Sequence, residues 1–177
     1  KLAGLLELFE NLGGQESDTW AAAGSTEVEK FRLFRHAAPE AVNARVDYFR
    51  KSYPAAYKMC IDISAPVEKL SEYVNMYEHD ITESGIEGFV FGHAAENRLH
   101  INIIPRNDDE RIKGAILFSR WGKKAVGDGG KILSENGIGK TKKVFFLENV
   151  SADELELLKH IKKFFDPKGL LNPENMF

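Results

Sequence analysis

The 177-residue chain has one cysteine, Cys60. No internal disulfide is available, and zinc sites built from several thiolates are excluded, a usage that fits a reducing compartment. Excess basic charge is also missing: 24 Lys and Arg stand against 27 Asp and Glu, a net charge of −3. That balance gives no footprint for nucleic acid and no polybasic membrane anchor. No apolar run approaches the roughly 18 residues of a membrane span. A cytoplasmic location is expected, with peripheral membrane association as the second option. Neither an initiator Met nor a signal peptide precedes the helical pattern Leu2, Leu5, Leu6, Phe9, so residues 1–177 are expected to be one domain cut from something longer. A hydrophobic content of 43% suffices for one core.

Residues 1–12 read as an amphipathic helix stopped by Gly13-Gly14, followed by a small-residue loop to Ser25. Thr26-Glu27-Val28-Glu29 has the form of a capping box, and its helix is expected to end at Ala38, before Pro39. Asn43 to Lys51 is helical again until Tyr53-Pro54. Arg35 stands here among apolar neighbours. It is either a surface side chain lying over Phe34 or an anion-binding arginine. From Lys58 the period changes to two: Met59, Ile61 and Ile63 alternate with Lys58, Cys60, Asp62 and Ser64, as in a strand with one apolar and one polar face. Pro66 opens a helix with the stripe Val67, Leu70, Val74, Tyr77 and Ile81, closed by Gly85.

Phe89-Val90-Phe91 then has strand character, and Leu99, Ile101 and Ile103 alternate with His100 and Asn102. Ala94 to Asn97 is the intervening turn, so strands of about 86–93 and 98–104 form a hairpin. Pairing His93 with Arg98 puts His93, Arg98, His100 and Asn102 on one face, with the two histidines diagonal neighbours about 7–8 Å apart. Imidazoles at that spacing can converge on a metal ion; a solvated polar strand face is the other reading. Asn107 to Val126 is a helix with an acidic first turn, and Lys131-Ile132-Leu133 a short strand after a glycine turn. The order β-α-β-β-α-β predicts an α+β fold with a ferredoxin-like unit, helices on one face of an antiparallel sheet, plus C-terminal helices. The polar face, carrying Lys58, Cys60, Asp62, His93, His100 and Asn102 together with Phe89 and Phe91, is expected to be open and a route to self-association.

Ser134-Glu135-Asn136-Gly137-Ile138-Gly139-Lys140-Thr141 is glycine-rich and similar to a phosphate-binding loop, but Ser134 stands where that pattern needs glycine. Either the glycines simply supply positive φ or Glu135 is presented on a sharp turn as ligand or base. A short helix is expected near Lys142 to Leu147. Ser151 to Glu154 is a second capping box, stapled by Val150 and Leu155, that starts a helix to about Phe165. Asp166-Pro167-Lys168-Gly169 stops it, and an extended tail follows.

Three segments, in order, resemble one family. Gly92-His93-x-x-Glu96-Asn97-x-Leu99-His100-Ile101-Asn102 is similar to its G-H-x-G-[DE]-G-N-L-H-x-N, Ser134 to Gly139 to its G-E-H-G-I-G, and Asp166 to Pro173 to its D-P-x-G-[IL]-[LM]-N-P ending. The family is the C-terminal domain of FAD-linked oxidases of the vanillyl-alcohol oxidase type. The nearest branch holds D-lactate dehydrogenase, the glycolate oxidase flavin subunit and D-2-hydroxyglutarate dehydrogenase. The resemblance implies a substrate-binding cap over a flavin held mainly by a separate FAD-binding domain, with a small 2-hydroxy acid oxidised by hydride transfer to FAD. The fragment alone is then expected to be inactive.

The resemblance also implies a divalent metal, zinc or iron, on His93, His100 and Glu135, and places the family's base at Asn136. It puts substrate contacts at Arg35 and near Cys60, where Lys58 on the same strand face substitutes for the family's lysine; Asn102 joins them, and Asn172 falls to the cofactor. This sequence departs from the motifs at Ala95, Asn97, Arg98 and Asn136. A stand-alone metal-binding domain, hydrolytic or purely an interaction module, is the alternative.

Overall fold

The computed structural model describes residues 2–176. They divide into two compact units, one up to Ala41 and one from Val42 onward. The first contains helix α1 (Leu2–Asn11), ended by Gly13 at φ +91°, and the start of α2 (Ser25–Arg50). Trp20 stands edge-on to Phe31 and Phe34, 5.9 and 5.6 Å between ring centroids.

Two sequence expectations fail on α2. The helix begins at Ser25, and the Val28 amide donates to the Gly24 carbonyl. Thr26 is therefore already inside the first turn and does not cap it. The expected break at Pro39 is absent, because one continuous helix runs through that residue to Arg50. Proline removes one amide donor from a helix interior, but Val42, Val46 and Phe49 keep a buried stripe in register beyond it. Burial outweighs the local cost.

The second unit is built on four strands, β1 (Met59–Ser64), β2 (Glu87–His93), β3 (Arg98–Ile104) and β4 (Lys131–Ile132), in the order β2-β3-β1-β4 with every neighbour antiparallel. Helix α3 (Leu70–Ser84) joins β1 to β2, and α4 (Asp108–Gly127) joins β3 to β4. This is the expected split β-α-β, and the α+β class holds. Gly85 ends α3 at φ +69°, a left-handed conformation that favours glycine. The Asn107 side chain accepts the Glu110 amide at the start of α4. The core lies between one sheet face and these two helices: Ile61, Ile63, Leu99, Ile101 and Ile103 pack on Tyr73, Tyr77, Phe118 and Trp121. These side chains alternate along each strand.

The opposite face is open only in part: Asp62 and Asn102 are buried while Cys60, Phe91, His93 and His100 stay half-exposed, which corrects the expectation drawn from alternation. At one end, the last turns of α2 bring Val46 and Phe49 onto Phe89 and Ile104, and Arg45 clasps Glu87 with two hydrogen bonds of 2.5 and 2.9 Å. Phe89 is thereby half-buried against α2, while Phe91 stays half-exposed on the same face. At the other end, the loop after β4 lies over β1. Helices α5 (Gly139–Asn149) and α6 (Ala152–Phe165) follow. Gly122 on α4 admits the Phe145 ring of α5, since a Cβ there would stand 2.6 Å from it. Ser151 caps α6 by accepting the Glu154 amide at 3.2 Å. Residues 171–175 form turns, not the expected extended tail, with Asn172 and Glu174 at φ +45° and +62°.

Candidate functional site

The site starts from register. On the polar face, His93 pairs with Arg98, Phe91 with His100 and Phe89 with Asn102, while Asp62, Cys60 and Ser64 of β1 stand opposite His100, Asn102 and Arg98. The turn that sets this register is tight. Asn97 adopts φ +40°, is almost fully buried, and donates from Nδ2 to the Pro66 carbonyl at 2.8 Å. Gly92 permits close strand approach, since a Cβ at that position would lie 2.2 Å from the Arg98 carbonyl oxygen. His93 and His100 are thus diagonal neighbours, as the spacing predicts.

Asp62 is the residue that sequence reasoning missed. It is completely buried in the middle of β1, where an unpaired carboxylate would be costly. Its Oδ2 accepts the Glu135 amide at 2.5 Å and the Asn136 amide at 3.3 Å, and its Oδ1 accepts the Asn136 Nδ2 at 3.1 Å. The Lys142 ammonium lies 3.7 Å from Oδ1. The Asp62 backbone carbonyl also takes the Leu133 amide at 2.7 Å. Burial pushes the Asp62 carboxyl up, but these hydrogen bonds and Lys142 together outweigh it and hold the group below the ordinary carboxylate range. A lone aspartate between two core isoleucines, in a strand interior where aspartate is disfavoured, was the signal available in the sequence.

Stitched to Asp62 in this way, the loop hangs Glu135 over the strand pair. Glu135 Oε2 lies 2.8 Å from His100 Nε2, and Oε1 lies 3.4 Å from His93 Nε2 and 3.1 Å from an Arg98 terminal nitrogen. Arg98 also bonds Glu96 at 2.5 Å. The Arg98 hydrogen bond is the main cause that holds the Glu135 carboxyl below its usual value; partial burial opposes it, and both imidazoles add to the lowering. The Phe91 ring lies beside His100, with centroids 5.7 Å apart. The Glu135 carboxylate thus stands between the Nε2 atoms of the two imidazoles.

The other expected site residues are dispersed. Asn136 turns its amide to Asp62, not to the histidines. Lys58 donates to Asn43 at 2.8 Å. Asn102 is buried beside His100 with its Nδ2 unpaired among the described residues. Arg35 lies on α2 in the first unit, and Asn172 sits exposed in the C-terminal turns. Cys60 is half-buried on the polar face, opposite the two core helices, as alternation requires.

The expected zinc or iron finds no support in this geometry. Among the described residues no three His, Cys, Asp or Glu side chains form a metal-holding group. The Arg98 guanidinium occupies the Glu135 carboxylate, at 3.1 Å, and is shared with Glu96.

An antiparallel split β-α-β sheet with a histidine pair bridged by one loop carboxylate defines an α+β domain with a polar site at one end of the sheet. The chain belongs to the family described as FAD linked oxidases, C-terminal domain, which matches residues 1–176. It is 27% identical over 173 residues to D-lactate dehydrogenase [cytochrome], mitochondrial, of Kluyveromyces lactis, covering 98% of this chain and 30% of that protein. It is 29% identical to glycolate oxidase subunit GlcD of Bacillus subtilis, over 66% of this chain and 25% of the relative. It is 30% identical to D-2-hydroxyglutarate dehydrogenase of Stutzerimonas stutzeri, over 66% and 26%. The chain spans no more than about a third of the length of these curated relatives. The stand-alone metal-binding reading is not favoured by a match of this extent. Among the described residues no helix is long and apolar enough to cross a membrane.

Proposed function

We propose that this chain is the substrate-binding cap of an FAD-dependent 2-hydroxy-acid dehydrogenase or oxidase, with a D-lactate- or glycolate-like substrate and the flavin held mainly by another domain of the same polypeptide. Membership of the FAD-linked oxidase family and the names of the three relatives support the reading. The observation that carries it is Glu135 bridging His93 and His100.

Oxidation of a 2-hydroxy acid removes a proton from the hydroxyl oxygen and a hydride from the carbon that bears it. FAD supplies the hydride acceptor. This chain supplies the proton acceptor. Glu135 Oε2 lies 2.8 Å from His100 Nε2, which leaves Nδ1 to take the hydroxyl proton and Glu135 to stabilise the imidazolium that forms. Phe91 fixes the plane of the ring from one side. Asp62 and Asn136 do not touch the reacting atoms; they position Glu135.

The test uses the full-length flavoprotein in stopped flow, monitoring flavin bleaching with D-lactate, glycolate and D-2-hydroxyglutarate. His100→Ala should retain flavin and lower the reduction rate constant by about 10²–10⁴-fold, the usual worth of a general base. Flavin reduction at the wild-type rate in that variant would refute the assignment.

A further inference from the structure

We infer that Arg98 is a built-in cation that keeps this site free of divalent metal. Three observations carry it. First, the guanidinium is clamped between two carboxylates, Glu96 at 2.5 Å and Glu135 at 3.1 Å, so its charge sits on the carboxylate that a metal would need. Second, the Arg98 Nε is buried and has no acceptor among the described residues. A guanidinium retained with one donor unpaired is anchored by its remaining bonds, and its planar fork does not swing aside as a lysine would. Third, both imidazoles meet Glu135 through Nε2. A metal ion needs a lone pair on those nitrogens, so coordination would displace both contacts to Glu135. The position is set by the fold: Arg98 pairs directly with His93 across the hairpin, so any side chain at residue 98 faces the histidine and the carboxylate together.

The consequence is a cluster in which the cation paired with Glu135 is part of the chain and cannot be removed by a chelator. The inference concerns the same cluster as the proposed function but not its reaction, so a metal-binding measurement tests it whichever substrate the intact protein uses.

The experiment is isothermal titration of the full-length protein, stripped with EDTA, with Zn²⁺ and separately with Mn²⁺. Arg98→Asn and Arg98→Met are compared with wild type, and circular dichroism verifies folding. Wild type should show no stoichiometric binding that depends on His100. Arg98→Asn should acquire one site per chain, at least tenfold tighter than any binding by wild type, and Arg98→Asn combined with His100→Ala should lose it. Arg98→Met removes the charge without adding a donor and should gain binding too; it serves as the readout if the Asn variant does not fold. One equivalent of metal on the wild-type protein, abolished by His100→Ala, would overturn the inference. So would Arg98 variants that fold and bind no more tightly than wild type.

Discussion

Replacing Asp62 by Asn should unseat the loop that carries Glu135 while preserving side-chain shape. The wild-type carboxylate is fully buried and accepts four hydrogen bonds, from the Glu135 amide, the Asn136 amide, the Asn136 side chain and, at 3.5 Å, the Ser134 hydroxyl, with Lys142 3.7 Å away. Hydrogen bonds to a charged acceptor are worth about 1.5–3 kcal/mol each, and those to a neutral one about half as much. The Asn variant also turns an NH₂ toward groups that, apart from the Ser134 hydroxyl, only donate, and it leaves a largely buried Lys142 without its counter-charge. Breaking a buried ion pair from one side costs about 3–5 kcal/mol, and we expect a loss near 4 kcal/mol. At a urea slope of about 2 kcal/mol per molar, the unfolding midpoint falls by about 2 M. The pH dependence supplies a second check. The Asp62 carboxyl is held below its unfolded value, so its contribution is complete above about pH 4, the unfolded value, and is lost as pH falls through the lower folded value. The gap between wild type and Asp62→Asn should therefore be wide at pH 7 and close on acidification. A gap under about 0.5 kcal/mol at pH 7, within the range of ordinary surface substitutions, would refute the stitching role.

Further outcomes follow from the same geometry. Asn97→Ala removes the bond to the Pro66 carbonyl and puts at φ +40° a residue less tolerant of that conformation than asparagine. It should cost about 1–2 kcal/mol in denaturant unfolding, most of it the lost hydrogen bond of about 1. Asn97→Gly keeps the turn and should cost distinctly less. Gly92→Ala drives a methyl into the Arg98 carbonyl and should lower stability by about 1–3 kcal/mol, with altered His93 NMR shifts as its local signature. Trp121→Phe frees Asp80 from a 2.6 Å bond to the indole N–H; a loss of about 1–2 kcal/mol is expected by calorimetry. Finally, residues 1–177 purified alone should show no flavin absorption band after gel filtration.

Much of the framework was legible because it rests on local periodicity. The twofold alternation of residues 59–64 and 99–104, the stripe through Tyr77 and Ile81, the acidic first turn after Asn107 and the cap at Ser151 each report a pattern that short-range geometry imposes, and the hairpin register followed from loop length alone. The motifs around His93, His100 and Glu135 likewise named three side chains that do converge. What failed was decided at a distance. Pro39 reads as a stop because it lacks an N–H, yet the buried stripe Val42, Val46 and Phe49 carries the helix through. Alternation puts Asp62, Asn102 and Phe89 on a polar face, but it carries no information about a later loop or an earlier helix folding back to cover that face. Only the tertiary structure shows that Asp62 is the anchor of Glu135, because its donors arrive from residues more than seventy positions away. Arg98 is the sharpest case. In the sequence it is one departure from a motif; in the fold, strand pairing with His93 sets its charge 3.1 Å from Glu135.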